Sequence, residues 1–292
     1  MHKFAAILIL AYFATTAQAQ TFGANRPIWQ QRSMYRNIIV LEGNDHRCLT
    51  FGKRSNRQSC INLKSTKSLV FDYTQRIFDA LAYIPKLERV LIIGIGGGSL
   101  PMAIRETYPD TQIDAVELDQ EVVNVALRYF QFQPDEKLAV FAEDGRVFIR
   151  KKRHLNIKYD AIILDAFDKD YIPEHMTSME FVAQVKNTLT DNGILLANTF
   201  KTTNFAKYEE STYQAVFGDI YESLIPNGNR IIIAGQRAAG VAENLPASQK
   251  ITQSKADVMT DKLLPHGWKF FTVDIQWYEP ASKGFGYRKD AK

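Results

Sequence analysis

Arg89-Val90-Leu91-Ile92-Ile93-Gly94-Ile95-Gly96-Gly97-Gly98-Ser99 is the stretch on which the fold turns. Val90, Leu91, Ile92 and Ile93 form an unbroken apolar run, as a strand buried on both faces requires. Four glycines in the next five residues let the backbone turn tightly and come close to a ligand. A helical pattern follows over 99–108, with Pro101 tolerated in its first turn. A glycine-rich loop alone is weak evidence. Between a buried strand and a helix it reads as a cradle for a nucleotide-like ligand.

The same rhythm continues downstream. Strands over 112–118, 139–141, 159–164 and 194–199 alternate with helices over 120–130 and 178–189, which predicts a parallel sheet covered by helices. Asn192-Gly193 reads as the stop of the second of those helices. A helix near 208–217, a strand at 230–234, a helix near 254–264 and a strand at 270–277 predict a mixed sheet with an antiparallel edge. Upstream, strands over 37–42, 47–51 and 59–63 read as a small antiparallel sheet after an irregular lead-in over 21–36. A helix over 68–83 joins the two parts. The expected organisation is a small N-terminal β domain over 20–67 and an α/β, Rossmann-like nucleoside-binding domain over 68–292.

Composition narrows the partners. Of 292 residues, 46% are hydrophobic and 23% charged, which is ordinary for a globular protein. The 36 Lys and Arg residues are interspersed with 32 Asp and Glu, which argues against a nucleic-acid partner. The densest basic run, Arg150-Lys151-Lys152-Arg153, reads as a solvated helix end. His46, His154, His175 and His266 show no metal-ligand spacing, so packing or surface roles and no metal are expected. Met1-His2-Lys3, an apolar run from Phe4 to Phe13, and Ala17-Gln18-Ala19 match the three-part pattern of a secretory signal over 1–19. The apolar run is too short to span a bilayer, which needs about 20 residues. The expectation is therefore a periplasmic or secreted protein with no membrane association after signal removal; the alternative is a cytoplasmic one. Cys48 and Cys60 flank a polar turn over 52–57 and would face each other across a hairpin. A disulfide in an oxidising compartment and two unpaired buried cysteines both satisfy that pattern.

Carboxylates punctuate the ends of successive strands. Glu117 lies about 20 residues beyond the loop, where a carboxylate can accept both hydroxyls of a ribose. Its neighbour Asp119 reads as the cap of the next helix. Asp144-Gly145 follows the third strand, where the carboxylate either meets the amino group of an adenine or caps a helix. These three signals converge on one crevice, and a nicotinamide cofactor would have no special need of Asp144. The fourth strand ends in Asp165-Ala166-Phe167-Asp168, two carboxylates that can hold a cationic amine and accept its proton. The plainer reading of that pair is one structural cap and one exposed acid.

Gln58, Tyr73, Gly94, Gly96, Gly97, Gly98, Glu117, Asp144-Gly145, Asp165 and Asp168 together resemble the spermidine synthase family of polyamine aminopropyltransferases. The resemblance covers 37–200. It implies a class I S-adenosylmethionine-dependent transferase fold and a small-molecule amine as acceptor, in polyamine biosynthesis. The co-substrate it implies is S-adenosylmethionine or its decarboxylated form, without a metal. It implies that the glycine loop, Glu117 and Asp144 bind the nucleoside. Asp165 is then the base, Asp168, Tyr73 and Gln58 hold the amine, and the assembly is a homodimer or, as in other family members, a tetramer. The family's loop reads Gly-Gly-Gly-Asp-Gly-Gly, and its aspartate, which grips the aminopropyl end and repels the carboxylate of intact S-adenosylmethionine, is Gly97 here. The family's Tyr-His-Glu is Tyr73-Thr74-Gln75. The loop and the following Ile113-Asp114-Ala115-Val116-Glu117 are also similar to spermidine-synthase-like methyltransferases, including the eukaryotic lysine methyltransferase acting on elongation factor 1A. Three functions stay open at this point: aminopropyl transfer, methyl transfer, and an exported non-catalytic protein that binds a nucleoside or polyamine.

Overall fold

The computed structural model describes residues 26–55, 57–65, 68–166, 174–202, 205–226 and 228–261. The expected signal over 1–19, Asp168, His266 and the strand expected at 270–277 lie outside the described residues. Strands β1 (Arg26–Arg32), β2 (Asn37–Glu42), β3 (His46–Phe51) and β4 (Arg57–Asn62) form an antiparallel meander in that order. β1 occupies part of the lead-in expected to be irregular. Its residues are exposed or half-buried, so it carries no strong hydrophobic periodicity, and pairing with β2 orders it. Ile38, Val40, Leu49 and Ile61 pack against Val122, Val125 and Phe130, which seats this sheet on helix α3 (Gln120–Tyr129).

The second sheet grows outward from β5 (Arg89–Ile93) in both directions. On one side lie β6 (Gln112–Glu117) and β7 (Leu138–Ala142), on the other β8 (Tyr159–Leu164) and β9 (Leu189–Phe200), all parallel. Strand order reverses between β5 and β8, the place where open α/β sheets leave a crevice at the carboxyl ends of the strands. Alternate residues of β5 feed two cores. Leu91 and Ile93 meet α4 (Gly145–His154), α5 (Met179–Lys186) and α6 (Ala206–Phe217), whereas Val90 and Ile92 meet α1 (Asp72–Leu81), α2 (Ser99–Thr107) and α7 (Ala238–Glu243). Burial on both faces is why the parallel strands read as continuous apolar runs. Strands β10 (Ile220–Leu224), β11 (Asn229–Gly235) and β12 (Ser248–Lys250) add the antiparallel edge, with β11 paired to β9.

Two expectations are corrected. Residues 254–261 are irregular instead of helical. Their polar groups bond to other elements: Ser254 N donates to Gln214 Oε1 at 2.9 Å and Met259 N to Thr212 Oγ1 at 3.1 Å. Asn192-Gly193 does not end the preceding helix, which stops at Lys186, but marks an irregularity inside β9. There Tyr159 pairs with Leu189 and Ala161 with Ile194, which displaces the intervening polar residues from the ladder.

Cys48 and Cys60 are directly opposed in the β3–β4 register and joined at an S–S distance of 2.05 Å. The bond closes a loop with a sequence separation of 12 residues. Restricting a loop of that size in the unfolded chain stabilises by about 3 kcal/mol in the chain-entropy picture. Replacing both cysteines by serine should therefore lower the unfolding free energy in guanidinium titrations by about 2–4 kcal/mol. An unchanged midpoint would show that the bond does not constrain the chain.

Candidate active site

The carboxyl ends of β5, β6, β7 and β8 open into a crevice closed from above by β4 and α1. At its floor Gly94 N donates to Val116 O and Asp165 N to Ile93 O, each at 2.8 Å, so three strand ends are tied together. Gly94 has φ +90°, and a Cβ there would lie 2.3 Å from the carbonyl oxygen of Asp165. Gly94 and Gly96 line the crevice; Gly97 and Gly98 do not. A Cβ on Gly97 would meet Phe130 Cδ1 at 2.8 Å and Ser59 Oγ at 2.9 Å, and one on Gly98 would meet Phe132 at 2.5 Å. These two glycines let the loop pack against aromatic side chains. Gly98 caps α2, whose N-terminus follows the loop. Gly145 faces the crevice too, but a Cβ there would strike Ile93 Cγ2 at 2.5 Å, so its smallness serves the packing of α4 on β5.

Glu117 ends β6 with its carboxylate held by two backbone amides, Ile95 N at 3.3 Å and Asp119 N at 3.2 Å. Burial raises its pKa, and the Arg36 guanidinium opposes that rise. Arg36, which lies over the ring of Phe51 at 4.3 Å, reaches the crevice from the residue before β2 and was not singled out by the sequence. Asp119 caps α3 through Glu121 N and accepts a hydrogen bond from Ser33. Asp144 does cap α4, accepting from Val147 N at 2.9 Å, yet it also lines the crevice. Its second oxygen pairs with His175 Nε2 at 2.7 Å. Burial would raise the Asp144 pKa; the His175 contact and the helix amides outweigh it and hold it below the ordinary value. His175, set by the 3₁₀ turn Glu174–Met176, therefore has a place in the crevice that its lack of metal-ligand spacing concealed.

Asp165 sits just past β8. Tyr73 Oη of α1 donates to its Oδ2 at 3.3 Å, and Asn198 Nδ2 of β9 to its Oδ1 at 2.8 Å. Burial pushes its pKa up to about 7, against the two donors and assisted by the negative charge of Glu117. Tyr73 is itself raised well above the usual phenol range, by burial and then by the charge of Asp165. Gln58 of β4 lines the same crevice. Asn198 was missed, although an amide in the otherwise apolar run of β9 was the visible signal. Among the described residues, Glu117, Glu143, Asp144 and Asp165 line the crevice against one guanidinium, Arg36, and one imidazole, His175.

A doubly wound sheet with a glycine loop, a carboxylate at the end of its second parallel strand and a small antiparallel sheet over the crevice defines a class I S-adenosylmethionine-dependent transferase fold. Comparison with known proteins narrows this. Residues 71–226 match the family model described as the spermine/spermidine synthase domain. The chain is 38% identical over 277 residues to a polyamine aminopropyltransferase of Vibrio vulnificus, covering 93% of this chain and 89% of that one. Its structure resembles that of a probable spermidine synthase from Corynebacterium glutamicum, with a TM-score of 0.65, 19% identity, and coverage of 80% of this chain and 96% of that one. A shorter likeness, 34% identity over 116 residues, links it to the eEF1A lysine and N-terminal methyltransferase of Xenopus laevis, covering 37% of this chain and 17% of that one. The chain belongs to the spermine/spermidine synthase family.

The packing around Gly97 generates a test. Gly97→Asp would restore the family's loop, but its Cβ enters space held by Phe130 and Ser59. The variant should lose about 1–3 kcal/mol of stability to overpacking and gain no affinity for decarboxylated S-adenosylmethionine. Thermal melts and calorimetric titration check this, and tighter binding at unchanged stability would contradict it.

Proposed function

We propose that this chain moves the aminopropyl group of decarboxylated S-adenosylmethionine onto a polyamine-type amine. One observation carries the reading: Asp165, a buried carboxylate next to the glycine loop, held by Tyr73 and Asn198 and raised to about 7. The similarity to the polyamine aminopropyltransferase of Vibrio vulnificus supports it.

The chain's residues fit the co-substrate. Gly94 and Gly96 allow backbone approach, and Glu117, oriented by two amides, suits the ribose diol. Asp144 offers the oxygen now on His175 to the amino group of an adenine. Four carboxylates against one guanidinium make a crevice suited to a ligand with two positive charges and no carboxylate. The co-substrate supplies an electrophilic carbon on a sulfonium, a leaving group that departs as a neutral thioether. Asp165 takes a proton from the acceptor's ammonium, freeing the nitrogen lone pair. That pair forms the new C–N bond as the C–S bond breaks and its electrons pass to sulfur. The protein's contribution is position and a base. Tyr73, Gln58 and Asp168 hold the acceptor amine. Methyl transfer is the second reading, favoured by Gly97, which leaves the loop without the acid that would repel intact S-adenosylmethionine.

The value near 7 sets a pH dependence. Turnover per free enzyme should rise with pH and reach half its plateau near pH 7, as Asp165 loses its proton. Asp165→Asn should abolish turnover and largely spare nucleoside binding. Its effect on stability has the opposite sign. The folded pKa is raised from the ordinary 3.8 to about 7, so the stability Asp165 contributes is complete below pH 3.8 and lost as pH rises through 7. Asp165→Asn escapes that loss and should match or exceed the wild type at pH 8, by up to about 2 kcal/mol in denaturant titrations. Unchanged turnover in Asp165→Asn would remove Asp165 from the mechanism.

A further inference from the structure

The amide that meets Asp165 is itself held in place. Asn198 lies near the end of β9, directly after Ala197, which is in register with Leu164 at the end of β8. Its Nδ2 donates to Asp165 Oδ1, and its Oδ1 accepts from Asn229 Nδ2 of β11 at 2.9 Å. Asn198 is only 3% exposed, so both ends of its amide must find partners within the protein. A carboxamide presents either a donor or an acceptor after a half-turn. With Asn229 bonded to the oxygen, the amino group is the end that faces the carboxylate. An unheld amide could turn its oxygen toward Asp165 and repel it.

We propose that Asn198, locked by Asn229, is a positioning residue that fixes the orientation of the Asp165 carboxylate and presents only N–H to it. Oδ2 is then left beside Tyr73 for the acceptor amine. The inference rests on the reading of Asp165 as the base. It also gives the antiparallel strand β11 a part in the site. The groups that face Asp165 are Tyr73 from α1, Asn198 from β9 and Glu117 from β6. Both donors favour the anion, while burial and Glu117 oppose it, so removing the Asn198 donor must raise the proton affinity of Asp165.

The test titrates the unliganded full chain by pH-difference infrared spectroscopy, with the Asp165 carboxyl band assigned by its loss in Asp165→Asn. Steady-state turnover of decarboxylated S-adenosylmethionine with putrescine is measured in parallel. Asn198→Ala should move the midpoint upward by about one pH unit and lower kcat about tenfold at pH 7, a hydrogen bond to a charged group being of that size. The KM for the co-substrate should stay within about twofold of the wild type. Asn229→Ala should act in the same direction and less strongly. The double variant should be no worse than Asn198→Ala, because the two act as a unit. An unshifted midpoint in Asn198→Ala, or additive losses in the double variant, overturns the proposal. Should Asn198→Ala fail to give the wild-type circular dichroism, the isosteric Asn198→Asp replaces it, with a larger upward shift expected from the second carboxylate and an unshifted midpoint overturning the idea. Absence of turnover in the wild type would sink the aminopropyl reading alone, because the infrared midpoint still decides the role of Asn198.

Discussion

Gly94 and Asp165 touch through their backbones. β5 and β8 are parallel neighbours at the reversal of strand order, and their ends converge until a Cβ on Gly94 would lie 2.3 Å from the Asp165 carbonyl oxygen. No other residue fits that position at φ +90°. The contact fixes how far the glycine loop stands from the carboxylate that the proposed chemistry needs. Around it, Glu117 arrives from β6, Asp144 from β7, and Tyr73 and Gln58 from the layer above. The small β sheet takes part because Ser59 and Gln58 lie on β4, which the Cys48–Cys60 bond ties to β3.

Among the described residues, the buried carboxylates near Arg230 and those of the crevice meet their charge problem with different partners. On the α6 face, Arg230 is fully buried among Glu209, Glu210 and Glu222, with Lys201 bonded to Glu210 and Glu222. Those carboxylates have cationic partners, and the cluster ties α6 to the antiparallel strands as a structural network. In the crevice, Asp165 is buried with neutral donors only, and Glu117 adds like charge. That arrangement is poor for stability and good for a base, since a carboxylate near pH 7 can both take and release a proton.

The central fold was legible because its strands are buried on both faces and its loop is extreme in glycine. β5 read from its apolar run, and β6 and β8 from the strand–helix alternation that follows it. Short edge elements were not legible. β1, β12 and α7 have seven, three and six residues and depend on neighbours instead of on their own pattern. Residues 254–261 carry a helical rhythm that tertiary hydrogen bonds override. At the site, the carboxylates were readable because they stand at strand ends. His175 and Asn198 were not, because each is defined by a side chain from another element, Asp144 in one case and Asp165 in the other. Gly97 read as a missing acid; the structure adds that Phe130 and Ser59 occupy the space such an acid would need.

The measurement that bears most directly on the central claim is calorimetric titration of the purified chain with decarboxylated S-adenosylmethionine and, separately, with the intact form. A crevice lined by four carboxylates and one guanidinium predicts tighter binding of the decarboxylated form. Tighter binding of the intact form would contradict aminopropyl transfer and make methyl transfer the chemistry of this site.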